Sequence, residues 1–205
     1  MPWVILDGVY TPAHFAMPET ESREQIVAAG AGLLVVHHPE QGFDAAMIPL
    51  HLDGDRLLGH VAKANPIWRT EGPVLAVFTP VDGYVSPSWY PSKAEHGKVV
   101  PTWNYVTVHV HGTMRAHQDP EWLRGVVTSL TDEHEARTGT GWKVTDAPDS
   151  YIEGLLKAIV GIEIAIERIE GKAKLSQNKP ADDVAGVIAA RPDALGAAMR
   201  KAAGT

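Results

Sequence analysis

The chain has 205 residues, 44% of them hydrophobic and 21% charged, with a net charge of −7 and no cysteine. That length suits one large domain or one domain with small appendages, the missing cysteines exclude a disulfide scaffold, thiol catalysis and Cys-ligated zinc, and the acidic balance opposes broad nucleic-acid binding, which leans on Lys and Arg against phosphate. No run approaches about 18 consecutive apolar residues, and the N-terminus has no basic segment ahead of an apolar one, so the expectation is a cytoplasmic protein with neither a membrane span nor a signal peptide.

Along the chain, "SREQIVAAG" (Ser22–Gly30) reads as a short helix, with Ser22 and Gln25 as a capping box and Gly30 as the stop. Leu33–His38 is a short apolar strand. Ala45–Leu52 and Leu57–Lys63 form a hairpin about the turn Asp53-Gly54-Asp55. Val74–Thr79 reads as a buried strand that stops at Pro80.

The next stretch, "SPSWYPSKAEHGKVVPTWNY" (Ser86–Tyr105), holds two of six tryptophans, two of five tyrosines and three prolines with no helical or strand period. Beyond it, Val106, Val108 and Val110 alternate with Thr107, His109 and His111, a strand with one apolar face. Asp119-Pro120-Glu121 signals a helix, with Asp as cap and Pro at the first position, running to about Arg137 before Gly139. "DAPDSYIEGLLKAI" is a second helix, capped near Asp146 or Asp149. Ile162, Ile164 and Ile166 alternate with Glu163, Ala165 and Glu167, a last strand. The tail from Asp182 to Ala203 is helical and broken at Arg191-Pro192. Strands of antiparallel type mixed with helices give an α+β barrel rather than a βαβ array.

Several chemistries fail on motif. Neither a dinucleotide-binding G-x-G-x-x-G nor a P-loop is present, and there is no G-x-S-x-G nucleophile elbow. "DEHEAR" (132–137) is a solvated helix face, and Glu163 and Glu167 are solvated too. His109 and His111 share a strand face with His117 further along, but no third ligand is fixed, so no metal is expected. The link "TGTGWKVTDA" is too long for a helix-turn-helix. No side chain offers itself as a nucleophile.

The blocks "YTPAHFAMPE", "LLGHVAKANPIW", "YVSPSWYPSKAEHGKVVPTWNY", "AIVGIEIAIERIEGKAKLSQNKP" and "DVAGVIAA" together resemble the PaiB-like family, whose members are commonly labelled FMN-binding negative transcriptional regulators. The resemblance runs from about Met1 to Arg191. It implies a split β-barrel of the pyridoxamine-phosphate-oxidase type with flanking helices over residues 1–180, and a helical tail, 181–205, packed on the same domain. It also implies a homodimer with FMN at the subunit interface. The regulator label rests on a genetic association with sporulation and protease production in a Bacillus setting, and direct nucleic-acid binding is not expected.

By the same resemblance, Met47, Ile48 and Pro49 fall at the edge of the flavin ring. His60, Val61, Ala62, Lys63 and Asn65 form a phosphate corner, with Trp68 as a wall; a lysine serves as a point-charge phosphate partner. The Ser86–Tyr105 insertion is expected over the dimer interface, where Trp103, Asn104 and Tyr105, with Ser88, Trp89 and Thr102 in the same group, meet the partner's flavin. Trp89 and Tyr90 would brace it. The alternative is that these aromatics only fill the interface. Lys174, Gln177 and Asn178 of "KLSQN" would reach the flavin edge or phosphate, or else serve the local turn. The chemistry would then be the cofactor's, in an FMN-dependent oxidoreductase or redox sensor. A haem-binding or haem-degrading barrel is the alternative, with ten histidines available as axial ligands.

Overall fold

The structure, a computed structural model, describes residues 10–204. Its elements in chain order are β1 (Ala16–Met17), α1 (Glu19–Ala29), β2 (Ala31–His38), β3 (Gly42–Asp53), β4 (Arg56–Ala62), β5 (Gly72–Val85), α2 (Ser92–His96), β6 (Thr102–His117), α3 (Pro120–Thr138), α4 (Asp149–Leu156), β7 (Ile159–Lys174), α5 (Ala181–Ala190) and α6 (Ala194–Ala203). The strands hydrogen-bond in the order β1-β7-β4-β3-β2-β5-β6, and β7 also pairs with β6. The mapped pairings are antiparallel.

Local chemistry accounts for most boundaries. Asp119 accepts a hydrogen bond from the Trp122 N–H at 3.0 Å and Pro120 opens α3. Gly139, at φ 73°, closes it in the left-handed conformation that suits glycine. The β3–β4 hairpin turns at Gly54, whose φ is 56°.

The structure differs from the sequence reading at several places, among them the cap of the second helix, where Pro148 rather than Asp146 or Asp149 precedes α4 and no side chain caps it. Ser22 is not a cap: α1 begins at Glu19, just after Pro18 and with two acids in its first turn, and the Ser22 hydroxyl donates back to the Pro18 carbonyl at 2.9 Å. β5 runs through Pro80 to Val85, because its pairing with β2 ends at Val77, so the missing proline N–H breaks no bond on that side. The Trp-rich stretch is not wholly irregular. It contains a 3₁₀ turn at Pro87–Trp89 and the five-residue α2, closed by Gly97 at φ 65°.

Contacts divide the chain into two compact units. The first comprises Thr79–Val108 with the described parts of Met1–Ser22 and Glu170–Thr205; the second comprises Arg23–Phe78 and His109–Ile169. The division passes through α1, β5, β6 and β7.

In the second unit, Leu34, Ile48, Leu57, Phe78, Ile162 and Ile164 are buried. α3 lies on the sheet through Val126 and Leu130, which pack on Leu58. Trp122 sits over Gly161, where a Cβ would come within 2.1 Å of the indole. A hydrogen-bond contact joins the same layers: His51 Nδ1 lies 2.5 Å from Glu133 Oε2.

In the first unit, Val85, Tyr90, Val106, Leu175, Val187, Leu195 and Met199 are buried. Asp183 of α5 accepts from both the N–H and the hydroxyl of Ser92, at 3.1 and 2.7 Å. That clamps the Trp-rich segment to the C-terminal helices.

Candidate functional site

The side-chain alternation of β3 and β4 sorts the ring-edge residues. Ile48 is 1% exposed and faces the core, whereas Met47 is 69% exposed and Pro49 is also exposed. On β4, Val61 is buried between half-buried His60 and exposed Ala62. Ile48 and Val61 can therefore meet a ligand only through their main chain. Across the ladder Met47 stands opposite Leu33, and Phe43 opposite His37, with the two rings 4.8 Å apart. Leu33, Phe43 and Met47 leave an exposed apolar patch on this sheet face, the kind of surface that marks an interaction site.

β4 ends in a tight corner. The Lys63 N–H donates to the Ala158 carbonyl at 2.8 Å, which fixes the backbone while the side chain stays exposed. Asn65 Oδ1 caps the following 3₁₀ turn, Pro66–Arg69, by accepting from the Ile67 N–H at 3.0 Å. Trp68 Nε1 donates to the Lys63 carbonyl at 3.1 Å, and the Arg69 guanidinium lies 5.3 Å from the Trp68 ring centre. Among the described residues the Lys63 ammonium has no side-chain partner. His60 Nδ1 is buried with no partner, and burial holds the His60 pKa below its ordinary 6.5. An exposed lysine with no side-chain partner among the described residues and the Trp68 indole on the same turn suit a phosphate-bearing planar ligand, so the residues fit FMN.

The remaining expected residues fall in the first unit. Asn104 is fully buried; its Nδ2 donates to Ser176 Oγ at 2.9 Å and its Oδ1 has no partner. Ser176 itself sits at φ 70°, strained for a residue with a side chain. Nearby Tyr90 has its pKa raised, by burial and then by the Asp183 carboxylate. Ser176 acts on Tyr90 in the opposite sense, although the two hydroxyls do not meet hydrogen-bond geometry. Gln177 is spent on its own turn: Oε1 accepts from the Leu175 N–H at 2.7 Å and Nε2 donates to the Ala173 carbonyl at 2.6 Å. Asn178 is exposed.

Lys174 Nζ donates to Thr102 Oγ1 at 2.7 Å and to the Trp103 carbonyl at 2.9 Å. The Lys172 and Lys174 ammoniums lie 5.7 and 5.9 Å from the Tyr105 ring centre. Trp103 is 50% exposed, held by a bond from Nε1 to Asp82 at 2.8 Å. Ser88 accepts from Lys93 Nζ at 3.1 Å, and Trp89 is half-buried. This unit thus presents an aromatic, cationic edge made of Trp103, Tyr105, Lys172 and Lys174.

The sequence reading passed over a cleft of about 590 Å³ in the second unit, where Lys63 is joined by Arg124 of α3 and by Glu153 and Lys157 of α4 and its end. Arg124, Glu153 and Lys157 read as ordinary helix surface, and only the packing of α3 on α4 brings them together. The histidine strand also resolves differently from a metal site. His117 stacks on Trp122 with centroids 4.2 Å apart, and its Nε2 lies 3.3 Å from Glu163 Oε2, an ion pair only when His117 is protonated and outside hydrogen-bond geometry. No cluster of three possible metal ligands occurs among the described residues.

Residues 9–168 match the family described as "Putative FMN-binding domain". The chain is 30% identical over 187 residues to the protease synthase and sporulation protein PAI 2 of Bacillus subtilis, a match covering 88% of this chain and 87% of that protein. An uncharacterised Emericella nidulans protein is 35% identical over 161 residues, and the chain spans 64% of its length. Among solved structures, a conserved hypothetical protein of Mycobacterium tuberculosis superposes with a TM-score of 0.61 over 84% of this chain and 94% of its own, at 15% identity. The FAD and haem binding protein of Mycobacterium smegmatis gives 0.58 over 82% and 77%, at 18% identity. At such identities these likenesses establish the fold. The chain belongs to the PaiB-like FMN-binding family and has the FMN-binding split-barrel fold.

Proposed function

We propose that the chain is a flavin-dependent redox protein that works as a homodimer. The observation that carries this reading is the turn at the end of β4, where the exposed Lys63 ammonium has no side-chain partner among the described residues, on a chain whose β2 and β3 expose Leu33, Phe43 and Met47. Lys63 and Asn65 hold the phosphate, and the main chain of Met47–Pro49 lines the ring. When bound, FMN supplies hydride and electron transfer. The protein's part is to hold the ring, keep His60 neutral as a hydrogen-bonding partner and exclude water. The apolar patch of Leu33, Phe43 and Met47 is closed by a second copy. The edge of Trp103, Tyr105 and Lys174 faces the flavin held by the other protomer, while Asn104 and Gln177 act inside their own unit.

The regulatory reading rests on the name of the B. subtilis relative. The link between α3 and α4 carries its own 3₁₀ turn and is far longer than a helix-turn-helix allows, so any regulation would follow the redox state rather than direct readout of DNA. Haem is the competing ligand, because the similar M. smegmatis protein binds haem as well as FAD. The test is the visible spectrum of purified protein before and after FMN is added, followed by anaerobic addition of a reduced nicotinamide. Stoichiometric uptake of FMN and bleaching of its visible band faster than free FMN support the reading. Stoichiometric uptake of haem with no uptake of FMN rejects it.

A further inference from the structure

The cleft beside Lys63 is larger than a phosphate corner requires, and its lining is of mixed chemistry. Its floor is apolar, with Leu123 and Leu156 buried beneath it and Ile159 at one side. Lys157 stands at the C-terminal end of α4, and among the described residues its ammonium, like that of Lys63, has no partner. Among the described residues Arg124 is engaged only by Asp149, at 3.4 Å across an exposed pair that is weak in water. Two carboxylates, Glu121 and Glu153, also line the space. A simple anion would use the cations and be repelled by the acids. A plain apolar ligand would use neither.

One common ligand half uses all three kinds of group. A nucleotide carries phosphate for cations, a ribose diol whose hydroxyls donate to a carboxylate, and a flat base for an apolar floor. The volume, about 590 Å³, lies in the range of small-molecule sites. Lys63 belongs both to this cleft and to the corner assigned above to the flavin phosphate.

We propose that the cleft formed by α3, α4 and the ends of β4 and β7 takes the adenosine half of a flavin dinucleotide, so that the chain binds FAD as well as FMN. This rests on the assignment of the flavin phosphate to Lys63. The second phosphate meets Lys157 and Arg124, the ribose hydroxyls donate to Glu153 or Glu121, and the adenine lies on Leu123, Leu156 and Ile159.

The test is calorimetric titration of flavin-free protein with FMN and with FAD, for the native chain and for Lys157→Ala and Glu153→Ala. Both substituted side chains are exposed, so neither change disturbs the core. The proposal expects FAD to bind at least ten-fold more tightly than FMN, and each variant to lose that advantage while FMN affinity stays unchanged. FMN binding equal to or tighter than FAD in the native chain overturns the proposal and leaves the flavin reading standing. Failure of both flavins to bind overturns both.

Discussion

Asn104 is fully buried, with Ser176 as its hydroxyl partner. Replacing it with Ala removes that bond and opens a void, at a cost of about 2–3 kcal/mol. A urea midpoint measures the loss, and FMN affinity should change little, because Asn104 presents no atom to solvent. His60 makes a prediction with a sign. Its pKa in the folded chain is lowered from 6.5 by burial, so below that value the unfolded chain takes up a proton that the folded chain refuses. Stability from this source is present above pH 6.5 and is lost as the pH falls toward the lowered value. In His60→Gln the fall in melting temperature between pH 7 and the folded pKa should flatten; an unchanged pH profile would show that His60 does not carry it. Neither feature could be read from the sequence. A histidine on a strand and an asparagine between two aromatics look alike whether exposed or buried, and only the packing of distant segments decides.

At the scale of elements, α3 was legible to within a residue, because Asp119, Pro120 and Gly139 act through local hydrogen bonds and backbone preference. The start of α1 was not, because Ser22 suits a cap equally well and only the chain's path from Pro18 makes it an interior residue. The cleft was invisible for a related reason: its walls come from α3, α4, β4 and β7, and each helix alone reads as a solvated surface. Two glycines test the packing of α3. A Cβ at Gly125 would meet nothing within 4 Å, so Gly125→Ala should stabilise the chain by up to about 1 kcal/mol through helix propensity alone. A Cβ at Gly161 would strike the Trp122 ring, so Gly161→Ala should destabilise it by about 1–3 kcal/mol and shift the tryptophan fluorescence. If Gly161→Ala is neutral, Trp122 does not sit on β7 as described.

At the scale of the whole molecule, the antiparallel α+β character was legible from alternation and turn residues. The insertion's attachment to α5 through Asp183 was not, since nothing in either segment names the other. The exposed patch of Leu33, Phe43 and Met47 bears on assembly. A charge placed there would be desolvated in a dimer, so Phe43→Glu should yield monomers by sedimentation while the monomer stays folded; an unchanged dimer would place the interface elsewhere. The central claim is that FMN is held at the corner closed by Lys63, and its most direct measurement is the FMN dissociation constant of Lys63→Ala beside that of the native chain. Loss of one phosphate charge partner, about 1.5–3 kcal/mol, predicts affinity weakened by roughly ten-fold or more, with the melting temperature of the flavin-free protein unchanged. Equal FMN affinity in the two proteins would contradict the account.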